Sequence, residues 1–70
     1  MTPDLLREAG EALHGERGKA PLARALEVSE RTVRRWADGT WNMPIGSRDA
    51  VHDLLLARRA AVAEVLKKLG

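Results

Sequence analysis

The chain contains no cysteine, no tyrosine and no phenylalanine. Without cysteine there is no disulfide to staple the fold and no thiolate cage for a metal. The two histidines, His14 and His52, do not by themselves build a closed zinc site. Long apolar runs are missing as well, and no stretch approaches the about 18 apolar residues of a membrane span. Asp4, Arg7 and Glu8 stand where a signal peptide would carry an apolar core of about 7–15 residues. The expectation is a cytoplasmic protein without membrane attachment. No Ser-His-Asp or Cys-His set and no Gly-rich phosphate loop is spelled out, so nothing points to an enzyme and no cofactor is implied. Asp49, His52 and Asp53 could in principle hold a metal, but such groups in a first helical turn read more simply as dipole partners on a solvated surface.

What is present is a single small domain over 1–70. With 44% apolar and 31% charged residues the balance is globular rather than disordered. A chain of 70 residues buries only about 60% of the surface its unfolded form exposes. Small domains compensate with disulfides, metals or partner chains, and here only oligomerisation is left open.

The formal net charge is only +2, yet its distribution is uneven. Residues 17–35 hold six basic groups (Arg17, Lys19, Arg24, Arg31, Arg34, Arg35) against Glu27 and Glu30, a net of +4, and the rest of the chain carries −2. A basic block on an otherwise acidic domain is the pattern of a surface that meets a polyanion. A solvated face is the plain alternative.

Local signals predict an all-α, compact four-helix domain. Thr2 caps a first helix with Pro3 at its first position, and Leu5, Leu6, Ala9, Ala12 and Leu13 recur at helical spacing before His14 and Gly15 end it. A short second helix covers about 20–26, with Leu22, Ala23 and Leu26 inward. After the break at Glu27-Val28, Ser29 caps a third helix whose inward stripe is Val33, Trp36 and Ala37. Thr40 to Gly46 form a loop punctuated by Pro44. Ser47 is placed as the cap of a last helix over about 47–69, with Asp49 in its first turn and Lys67 and Lys68 in its last.

That last helix is apolar over a wider arc than packing on one core requires. Val51, Leu55, Arg58, Val62, Val65 and Leu69 alternate spacings of four and three, a heptad stripe broken only by Arg58. These residues are the candidate dimer interface. The alternative is a helix lying deep in a cradle of the other three, its alanines filling space.

Residues 22–39 read LARALEVSERTVRRWADG. Leu22, Ala23, Leu26, Val28, Ser29, Thr32, Val33, Trp36 and Gly39 resemble the helix-turn-helix of the phage repressor-like (Xre/Cro) DNA-binding family, whose unit would span about 19–39. The stretch RTVRRWADGT and the Met-Pro loop after it are also similar to small prophage regulators, including anti-CRISPR-associated repressors. One position departs from the pattern. Glu27 stands where the family has glycine, in a turn that tends to need positive φ, at a cost of about 1 kcal/mol.

With Val33 inward, Arg31 and Arg35 fall almost opposite it on the helical wheel, one above the other. Arginine can donate two hydrogen bonds to guanine O6 and N7, so these are candidate base readers, with Arg34 on the flank. Glu30 could accept from cytosine N4, or simply favour the helix dipole and pair with Arg34. The resemblance implies backbone contacts from Lys19, Ser29, Thr32, Thr40, Trp41 and Asn42. Trp36 reads as core. Trp41 is either a lid beside Pro44 or an indole donor to phosphate.

The reading that follows is a sequence-specific transcriptional regulator, a homodimeric autorepressor on an inverted repeat of double-stranded DNA. The alternative is a protein-interaction module, such as an antitoxin, that docks a partner through the apolar last helix.

Overall fold

Four helices follow one another along the chain: α1 (Pro3–His14), α2 (Lys19–Leu26), α3 (Glu30–Ala37) and α4 (Ile45–Leu69). The computed structural model describes all of residues 1–70 and contains no strand. The all-α expectation holds.

Helix α1 begins as its sequence predicts. The Thr2 hydroxyl accepts from the Leu5 N–H at 3.1 Å, Pro3 opens the helix, and Asp4 lies in the first turn. Leu6, Ala9, Gly10 and Leu13 face inward, whereas Leu5 and Ala12, expected beside them, are exposed. The inward arc is centred on Gly10 because the chain passes it closely. A Cβ on Gly18 would lie 2.4 Å from the Gly10 carbonyl oxygen. Only a residue without a side chain lets the α1–α2 connection lie down on α1.

A tight turn joins α2 to α3. Glu27 adopts φ 58°, ψ 39°, the left-handed conformation anticipated for this position. The Glu27 and Val28 N–H groups donate to the Arg24 and Ala23 carbonyls at 3.2 and 3.0 Å, satisfying the end of α2. Ser29 then caps α3, its hydroxyl oxygen accepting from the Thr32 N–H at 3.1 Å.

All four helices feed one core. Leu6, Ala9 and Leu13 meet Leu22 and Ala23 of α2, Val33, Trp36 and Ala37 of α3, and Val51 of α4. Leu26, Val28, Met43, Leu54 and Leu55 pack half-buried around it. Burying each such aliphatic side chain contributes about 1.5–3 kcal/mol, so a core this small tolerates few losses.

Helix α4 departs from expectation at both ends of its length. It starts at Ile45, with Pro44 as the capping residue and no side-chain cap, so Ser47 sits inside the first turn and no acidic residue is there. Pro44, extended at φ −62° and ψ 151°, ends the loop two residues earlier, and its carbonyl accepts the first helical bond from Arg48 N–H. Nor does α4 lie in a cradle. It packs on α1 and α2 through Val51, Leu54 and Leu55, and every residue from Leu56 to Gly70 is exposed. At 25 residues it is about 37 Å long, which accounts for the elongated extents of 44 × 22 × 20 Å. No helix is long and apolar enough to cross a membrane.

Candidate nucleic-acid interface

Helix α3 buries Val33, Trp36 and Ala37 and turns its charged residues outward. Arg31 is exposed and makes no ion pair within the chain. Arg34 Nη2 donates to Glu30 Oε1 at 3.2 Å, the local i,i+4 pairing open to Glu30 from the sequence. That pair is exposed on both sides and contributes little to stability.

Arg35 sits differently from the simple wheel. It is half-buried, its guanidinium carbon lies 4.9 Å from the centre of the Trp41 ring, and its Nε is buried without a hydrogen-bond partner. The loop after α3 makes this possible. Asp38 and Gly39 close the helix, with Gly39 at φ 82°, and the chain folds back so that the Trp41 N–H donates to the Arg35 carbonyl at 3.1 Å. Trp41 is 49% exposed, so it is no lid on the core. Its ring is a platform for Arg35. The fold-back of the loop, six residues downstream of Arg35, is the part that helical periodicity does not carry.

Asp38 ties that loop down. Its Oδ1 accepts from both the Thr40 hydroxyl and the Thr40 N–H. Those two hydrogen bonds, with weaker help from the positive charges of Arg35 and Lys19, hold the Asp38 carboxyl below its ordinary value. Both side-chain and backbone donors of Thr40 are thereby spent inside the loop, which makes Thr40 a brace rather than a free donor. The sequence marks Asp38 and Gly39 as the stop of α3, which they are; the bracing role of Asp38 has its signal in the threonine two residues after it.

The candidate residues therefore fall into two groups. Lys19, at the start of α2, shares the Asp38 neighbourhood with Arg35, Thr40 and Trp41, and Asn42 follows, exposed, in the same loop. At the other end of α3, the Ser29 and Thr32 hydroxyls lie 2.8 Å apart. Trp36 is buried in the core as expected. The dimer stripe divides: Val51 is fully buried within the domain, Leu55 is half-buried, and Arg58, Val62, Val65 and Leu69 are exposed. Asp49, His52 and Asp53 are exposed on α4, and no three acidic or histidine side chains converge on a point that could hold a metal.

No protein-family model matches this chain, and no curated protein or solved structure does either.

Proposed function

We propose that this protein is a sequence-specific DNA-binding regulator of transcription, a homodimeric autorepressor that acts in the cytoplasm on an inverted repeat. The carrying observation is the outer face of α3, where Arg31 is exposed without an ion pair and Arg35 is held over the Trp41 ring. Arg31, exposed on the same helix, supplies the second base reader, with Arg34 on the flank. Lys19, Ser29, Thr32, Trp41 and Asn42 lie around the two ends of α3 where phosphate contacts would set register. The similarity of 22–39 to phage repressor-like helix-turn-helix segments, and to prophage and anti-CRISPR-associated repressors, supports the choice of operator binding over non-specific binding.

A second reading is favoured by a different observation, the exposed apolar end of α4. It makes the protein an interaction module, such as an antitoxin, that docks a partner protein there.

Footprinting on the DNA upstream of the protein's own coding sequence separates the two. Autorepression predicts protection of an inverted repeat overlapping the promoter. Absence of protection at protein concentrations that saturate other duplexes overturns it.

A further inference from the structure

Glu30 and Asp38, at the two ends of α3, are the carboxylates closest to its arginines in sequence. Glu30 is paired with Arg34, whereas Asp38 makes no ion pair. Asp38 is exposed and lies near Lys19 and Arg35. A phosphate backbone arriving at that end of α3 meets its negative charge, which works against DNA of every sequence alike.

The same residue supplies an acceptor that closes a ring of contacts. Asp38 Oδ1 takes the Thr40 N–H at 2.9 Å and also the Thr40 hydroxyl, a turn that an aspartate makes with the residue two places on. Trp41 follows directly. Its N–H donates to the Arg35 carbonyl at 3.1 Å, and its ring centre lies 4.9 Å from the Arg35 guanidinium carbon. The ring closes through the helix, where the Asp38 N–H donates to the Arg34 carbonyl at 2.9 Å. Arg31 lies about two turns earlier on α3 and takes no part in it.

We infer that Asp38 is a positioning residue for base reading: its acceptor oxygen sets the Arg35 guanidinium through Thr40 and Trp41, while its charge holds down affinity for DNA of any sequence. The inference rests on the DNA-binding reading above and adds a residue that governs specificity without itself contacting the DNA. The two roles separate on substitution. Asparagine keeps the acceptor oxygen and drops the charge, and alanine drops both.

The test compares the parent protein with Asp38→Asn and Asp38→Ala. Each is titrated, across a salt series, with a duplex selected by the parent from a random pool and with its single-base variants. In the DNA-free proteins, NMR reads the Arg35 side-chain protons, which the ring current of Trp41 displaces when the two are stacked. Asp38→Asn should keep the base preference and the displaced signals. It should bind every duplex about two- to fivefold more tightly at low salt, a gain that fades as salt rises. Asp38→Ala should lose up to about 30-fold of the preference at the base position that Arg35→Ala identifies, because the ordering of Arg35 is lost. Its preference at the Arg31 position should persist, and its Arg35 signals should return toward those of a free side chain. Equal preference or equal Arg35 signals in the parent and Asp38→Ala overturn the inference and leave DNA binding standing. Loss of preference in Asp38→Asn as well makes the carboxylate itself the reader and overturns the positioning role. A parent protein that binds no duplex, or binds all alike, overturns both the inference and the reading beneath it.

Discussion

The guanidinium of Arg35 rests 4.9 Å from the centre of the Trp41 ring, while the Trp41 N–H donates to the Arg35 carbonyl at 3.1 Å. The side chain and the backbone of one residue are therefore both held by the other. A free arginine must give up rotamer freedom when it engages a base or phosphate, at a cost of up to about 2 kcal/mol. Part of that ordering is already done here.

Removing each partner should have a distinct effect on DNA binding. Arg35→Ala should lose about 1–3 kcal/mol of discrimination at one base position. Trp41→Ala should leave the base preference in place but weaken binding by about 0.5–1 kcal/mol, and Trp41→Phe should restore most of it. Titrations of matched and single-substitution duplexes check this. Unchanged affinity and unchanged preference in Arg35→Ala would show that α3 is not the reading helix.

Lys19→Ala should behave differently again. A phosphate contact carries no sequence information, so affinity should fall by a similar factor on every duplex, with a salt slope lower by about one unit. Binding measured across a salt series on specific and scrambled duplexes gives both numbers.

Asp38 has its carboxyl lowered chiefly by the Thr40 hydroxyl and N–H. A depressed carboxylate holds its partners fully above its ordinary value and releases them as pH falls through the lowered one. The loop, and with it the Arg35–Trp41 stack, should therefore be independent of pH near neutrality and loosen only in acid. Thr40→Val should move the Asp38 titration back toward the ordinary range. Carbon-detected NMR titration of Asp38 in both proteins reads the shift, and equal midpoints would contradict the role given to Thr40.

Two backbone positions test the fold itself. Glu27 holds a left-handed conformation at φ 58° with a Cβ, so Glu27→Gly should stabilise the domain by up to about 1 kcal/mol, or about 4–8 °C in Tm. Gly18→Ala should do the reverse and by more, because its Cβ would meet the Gly10 backbone 2.4 Å away. Thermal and urea unfolding measure both. A Gly18→Ala protein as stable as the parent would mean that the α1–α2 connection can lift without loss.

Much of the helical plan was readable from short-range chemistry. Thr2 and Ser29 cap the helices they were expected to cap, and Glu27 takes the positive φ that its place in the turn requires. Trp36 is core for the same reason, since its spacing from Val33 puts both on one face. What periodicity does not carry are choices made by the chain folding back on itself. Trp41 under Arg35 depends on the turn at Asp38 and Gly39, and the early start of α4 depends on Pro44 overriding Ser47 as its boundary. The heptad stripe of α4 was visible as one feature. Only the packing of Val51 divides it into a buried part and a projecting part.

The most direct test of the central claim is selection of bound duplexes from a random DNA pool at near-physiological salt, with the unmodified protein. The account predicts enrichment of an inverted repeat whose half-site centres lie about one helical turn apart, with guanines at the positions lost in Arg31→Ala and Arg35→Ala. A bound pool without enrichment, or no bound pool at all, would contradict sequence-specific recognition by α3.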